Sequence, residues 1–139
     1  MKSSKDTLQG KIEIIDRNLN YLNEVRESFK KQTNGYERLQ AVKHSLFEIA
    51  EACIDMAGHI VAAEGYERTD TYAGLFQKLS ENKIIPAQLS EKLAQMARFR
   101  NLLVHHYHYV EKGELLKIIE DDLPDVKEYV KAIYSYMGE

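Results

Sequence analysis

The chain has 139 residues, 44% of them hydrophobic and 29% charged, with a formal net charge of -3. That length supplies one hydrophobic core and not two, and the acidic balance excludes a protein that holds nucleic acid by bulk positive charge. No window approaches the roughly 18 unbroken apolar residues of a membrane span. Met1-Lys2-Ser3-Ser4-Lys5-Asp6 has no apolar run behind it, so neither insertion nor secretion is expected.

The first predicted helix runs from Leu8 to about Lys31, where Ile12, Ile15, Leu19, Leu22 and Phe29 recur at steps of three and four, with Val25 between them. Thr33-Asn34-Gly35 ends it, because an Asn-Gly pair readily adopts turn conformations. A second helix, from about Tyr36 to Glu64, has a wider apolar arc that includes Leu39, Val42, Leu46, Ile49, Ile54, Ile60 and Val61, so it is expected at the centre. Its single cysteine, Cys53, lies among Ile49, Ala50, Ile54 and Ala57 and reads as a buried inert thiol. One cysteine cannot form an internal disulfide, in keeping with a reducing cytoplasm. Asp55 and His59, four apart, should share a face, either as a packing pair or as an auxiliary part of a site.

A loop follows from Gly65 to Asp70, with Thr69 or Asp70 placed to cap a short helix through Leu75, Phe76 and Leu79 to about Asn82. Pro86 suits the first turn of the next helix, predicted to continue to Tyr109. Gly113 is expected to interrupt the chain before a last helix carrying Leu116, Ile119, Leu123, Val126, Val130, Ile133 and Met137, kinked or restarted at Pro124. The fold class is all-α: residues 1–139 form a single domain, an antiparallel bundle of four to five helices.

The chemistry concentrates in Arg100-Asn101-Leu102-Leu103-Val104-His105-His106-Tyr107-His108-Tyr109. On an unbroken helix, Asn101, His105 and His108 form one stripe, Tyr107 falls within about 20° of Arg100, and Leu93, Met96, Phe99 and Leu103 face the core. Arginine grips anions such as phosphate with a planar fork, and the ordinary pKa of histidine lies near neutrality. Arg100 is therefore a candidate anion clamp and His105 a candidate acid/base, with Asn101 beside them and His108 and Asp55 auxiliary. Two other readings stand beside this one. The helix could be polar-rimmed packing, or His105 and His108 could ligate a metal, although only Glu111 offers a loose third ligand and no metal or cofactor is assigned.

Arg100, Asn101, Leu103, Val104, His105 and Tyr107 fill every fixed position of Arg-Asn-x-Leu-Val-His-x-Tyr, the usual form in the HepT toxins of the HEPN superfamily, which this chain resembles. The resemblance extends over nearly the whole helix order. Gly65 and Tyr72 look like the family's Gly-rich loop ending in tyrosine, without its usual proline. It implies a HEPN-like homodimer in which two motifs meet at a shared cleft, acting in the cytoplasm as a metal-independent endoribonuclease toxin on RNA such as tRNA. Such cleavage needs a base for a 2′-hydroxyl, positive charge on the phosphate and an acid for the leaving oxygen, so the resemblance gives Arg100 the phosphate clamp, His105 the acid/base role and Asn101 the orientation of His105 or the scissile group. It also implies a cognate nucleotidyltransferase antitoxin, MntA, that silences the toxin by adding AMP to Tyr107. The competing readings are a non-catalytic subunit that binds a nucleotide or a nucleotidyltransferase partner through the Arg100/Tyr107 pocket, and a purely structural helical dimer.

Overall fold

A computed structural model describes residues 4–31 and 35–139. It contains six α-helices: α1 (Ser4–Lys30), α2 (Tyr36–Glu64), α3 (Tyr72–Glu81), α4 (Ala87–His105), α5 (Lys112–Asp121) and α6 (Leu123–Tyr136), with a 3₁₀ turn at Tyr107–Tyr109. Among the described residues there is no strand. The expected turn at Thr33 and Asn34 lies outside the described residues, and Gly35 stands directly before α2.

α2 is the central element, packed against α1, α3, α4 and α5. Its apolar arc explains this: Ile49, Ala50, Ala52, Cys53 and Ile54 are all buried, a spread of about 200° around the helix and more than one neighbour could cover. Leu8, Ile12, Ile15, Leu22 and Phe29 meet them from α1, and Leu93, Met96, Phe99 and Leu103 from α4. Tyr129 of α6 is fully buried, packs edge-on against Phe76 with ring centres 5.8 Å apart, and donates its hydroxyl to the Cys53 carbonyl at 2.9 Å. That bond keeps a phenol tolerable in an apolar core. Cys53 is buried as expected, and burial pushes its thiol well above its ordinary range.

α2 ends at Glu64 as the spacing predicted, and the other helix ends differ from the sequence expectation in four places. α2 closes on Gly65, whose left-handed φ of 68° lets the Gly65 and Tyr66 amides reach the Ala62 and Val61 carbonyls. α3 is capped by Thr71, not by Thr69 or Asp70: its Oγ1 accepts from the Gly74 amide at 2.9 Å. Gly113 lies inside α5 and does not interrupt it, because the first turn of a helix carries few of the bonds a glycine would weaken. Pro124 occupies the first turn of α6, where its missing N–H leaves no bond unmade. The break therefore falls at Asp122, and the last predicted helix is two helices.

The fourth difference bears on function. α4 stops at His105, with His106 at φ -135° and ψ 37°, so Tyr107 and His108 are not on the helix. Val104 and the following histidines and tyrosines have weak helix propensity, and tertiary contacts outcompete a further turn. Val110 is buried, which draws the chain back to the core, and the Lys43 ammonium captures the Tyr107 carbonyl at 2.8 Å.

Candidate active site

The exposed side of α4 presents Arg98, Asn101, Val104 and His105, with Arg100 half-buried at its edge. Arg100 is held from four directions. Its Nε donates to the Glu51 carboxylate of α2, and its Nη1 donates to Asn101 Oδ1 at 3.0 Å. The guanidinium carbon lies 5.4 Å from the Tyr72 ring centre and 5.7 Å from that of Phe47, so aromatic faces steady the plane. Asn101 is thus turned toward Arg100, whereas the sequence reading also offered His105 as the group it might orient.

His105 is exposed at the end of α4. On a helix, five residues place it about 7.5 Å along the axis and about 140° around from Arg100. Tyr107 no longer shares the Arg100 face by helical geometry. It is half-buried in the 3₁₀ turn, its ring 4.6 Å from Lys43 Nζ, and burial first, then the nearby Tyr36, raises its phenol above its ordinary value. His108 is exposed in the same turn with its ring edge-on to Tyr107 at 5.7 Å, so the three-residue stripe with Asn101 and His105 does not form. Asp55 accepts from Lys11 Nζ at 3.0 Å on the α1 side, and His59 Nε2 is buried without a hydrogen-bond partner, so the two do not pair. Among the described residues no three His, Cys, Asp or Glu side chains are grouped to hold a metal ion.

Glu51, Phe47 and Lys43 were not singled out by sequence, although they recur at steps of four and so form one stripe of α2 facing the motif. The available signal was a buried lysine and a glutamate on the flank of the most apolar helix. His44, paired with Glu48 at 2.8 Å, lines a hollow of about 260 Å³ together with Phe47, Leu103, Val104 and Tyr107. On the other side of Arg100, a groove of about 460 Å³ runs between the start of α3 and α4, lined by Thr71, Tyr72, Arg98 and Asn101 among others.

The model of the family described as "Ribonuclease HepT-like" matches residues 12–133. The chain belongs to the HepT-like ribonucleases. Family membership makes the chain a ribonuclease. The chain is 25% identical over 128 residues to the mRNA nuclease HepT of Shewanella oneidensis, covering 92% of this chain and 96% of that protein. It is also 25% identical over 131 residues to the tRNA nuclease HepT of Aphanizomenon flos-aquae, covering 94% and 89%. The tri-AMPylated Shewanella oneidensis HEPN toxin, solved in complex with its MNT antitoxin, superposes with a TM-score of 0.84 at 25% identity over 94% of this chain and 98% of that one. The cytosolic protein YutE of Bacillus subtilis shares the fold with a TM-score of 0.71 at 19% identity, over 88% and 87% of the two chains. The HepT-like chain described here thus has the helical HEPN fold expected from its sequence, and none of its helices is long and apolar enough to cross a membrane among the described residues.

Proposed function

We propose that this chain is the toxin of a HepT/MntA-type pair, a metal-independent endoribonuclease that cuts RNA in a cleft between two copies of itself. The observation that carries this reading is the Arg100 guanidinium, pre-oriented on the same exposed helix end as His105. Arg100 grips the scissile phosphate with its terminal nitrogens, and His105 moves the proton. Each chain supplies one motif imidazole, set well around the helix from its own Arg100, whereas strand cleavage needs both a base and an acid. A second copy across the cleft provides the other. RNA is the substrate class shared by the relatives named mRNA and tRNA nucleases.

Tyr107 is the proposed acceptor of AMP from a nucleotidyltransferase antitoxin, by analogy with the AMPylated Shewanella toxin. Its phenol is protonated at neutral pH like any tyrosine, and burial raises its value further, so the modifying enzyme must supply the base. An AMP there adds negative charge and bulk beside the motif. The deciding experiment is cleavage of an RNA substrate by purified protein in the presence of EDTA, with Arg100→Ala and His105→Ala as comparisons. Loss of cutting in both, with unchanged helical circular dichroism, supports the assignment; cutting that survives His105→Ala rejects it.

A further inference from the structure

α4 and the turn after it carry the motif, and beside Tyr72 of α3 the contacts from other elements that fix it come from α2. Three side chains at steps of four do this. Lys43 donates to the Tyr107 carbonyl at 2.8 Å and lies 4.6 Å from the Tyr107 ring centre. Phe47 packs under the Arg100 guanidinium and forms a wall of the hollow beside Tyr107. Glu51 accepts a hydrogen bond from Arg100 Nε. Lys43 is only 3% exposed, and it meets a backbone carbonyl and an aromatic face rather than a carboxylate. Burying an ammonium costs stability unless it is hydrogen-bonded or paired, and a carbonyl acceptor satisfies it while leaving its full charge in place.

We infer that α2 is the positioning half of the active site: Glu51 sets the direction in which Arg100 presents its fork, and Lys43 fixes the turn that carries Tyr107. The choice of nitrogen matters. A carboxylate on Nε leaves the terminal Nη pair pointing outward, the edge that binds a phosphate with two parallel bonds. On that edge the structure places Asn101 Oδ1, a neutral acceptor that a dianionic or monoanionic phosphate oxygen displaces readily. A lone arginine on a helix samples many rotamers, and fixing it before substrate arrives removes that ordering from the reaction. Glu51 and Lys43 touch neither RNA nor the reacting atoms in this scheme, so both act through Arg100 and Tyr107.

The inference rests on the ribonuclease reading above, and two readouts on the full chain keep the two separable. The first is the Arg100 Nε–Hε signal in a ¹⁵N NMR spectrum, assigned with Arg100→Lys. In wild type it is dispersed and slow to exchange. In Glu51→Ala it moves to the position of exposed arginines while the backbone amides stay in place, and in Glu51→Gln, whose amide oxygen still accepts, it stays largely where it was. The second is steady-state RNA cleavage. Glu51→Ala lowers kcat by about tenfold or more with a smaller change in KM, because the lost alignment matters most in the transition state, and Glu51→Gln restores most of the rate. Lys43→Met, similar in length and apolar, shifts amide signals at residues 106–110 and slows AMP addition to Tyr107. An unmoved Arg100 signal in Glu51→Ala overturns the inference. So does a Glu51→Ala protein that cuts as fast as wild type or faster, since Glu51 would then compete with phosphate instead of aiming the arginine. Unmoved 106–110 signals in Lys43→Met overturn the Lys43 half. A wild type that cuts no RNA defeats the ribonuclease reading and leaves the NMR result to decide this one.

Discussion

Asn101 Oδ1 accepts a hydrogen bond from Arg100 Nη1 at 3.0 Å, so the amide oxygen of one motif residue faces the guanidinium of the residue before it. In the proposed mechanism the amide is a removable placeholder on the edge of Arg100 that takes phosphate. Asn101→Asp puts a full negative charge there, which phosphate must displace against a charge-assisted bond. The expected outcome is a rise in KM for RNA of about tenfold or more, larger than that caused by Asn101→Ala. Parallel kinetics on the two variants check it, and equal effects would show that the oxygen's charge is irrelevant.

Arg100→Lys keeps the charge but loses the planar fork, the Nε donor used by Glu51 and the stacking against Tyr72 and Phe47. Cleavage should fall by about 100-fold, nearer to Arg100→Ala than to wild type. A lysine variant with near-native rate would mean that point charge alone suffices.

Tyr107→Phe keeps the ring over Lys43 and the backbone carbonyl bond, and removes only the hydroxyl. It should retain RNA cleavage, accept no AMP by mass spectrometry, and arrest growth even when the antitoxin is co-expressed. AMP found on another tyrosine of this variant would move the modification site.

Alkaline pH should unfold the protein earlier than exposed phenols and thiols would suggest. Burial is the first cause of the raised values of Tyr129 and Cys53 and of Tyr136, which reaches about 12 with help from its hydrogen bond to Glu64. All three bind their protons more tightly folded than unfolded. Their contribution is complete below the unfolded values, and it is lost progressively as pH rises from about 9 toward the higher folded values. The midpoint of thermal unfolding should hardly change from pH 7 to 8 and decline above about pH 9. Tyr129→Phe, which leaves the Cys53 carbonyl without this donor, should be about 1–2 kcal/mol less stable in urea at pH 7.

Lys83 has a φ of 62°, a conformation that costs an L-residue about 1–2 kcal/mol. It lets the Lys83 and Ile84 amides reach the Ser80 and Leu79 carbonyls at the end of α3. Lys83→Gly should therefore raise stability by about 0.5–1 kcal/mol after the entropy of the more flexible unfolded chain is subtracted. A urea titration with an unchanged slope would show it.

The α2 boundaries, the central place of that helix, the buried thiol and the all-helical class were legible because apolar periodicity over long segments is read directly from spacing. What spacing could not reveal was where tertiary contacts overrule a helix. Nothing local distinguishes His105 from Tyr107 as a last helical residue, since the stop depends on Lys43, 64 residues upstream. For the same reason Arg100 was recognised from its motif but its carboxylate partner was not, and Asp55 was considered for a pair it does not make. Tyr72, noted only as the end of a loop, stacks on the arginine because α3 and α4 pack together.

The chain leaves the α-helical path immediately after His105, so Arg100 and His105 belong to one stiff rod and Tyr107 to a separate appendage. In the proposed regulation, AMP attached to the appendage would block the mouth of the cleft without altering the spacing on the rod. Silencing through Tyr107 would then be a matter of obstruction, and removal of the obstruction would return a fully set blade.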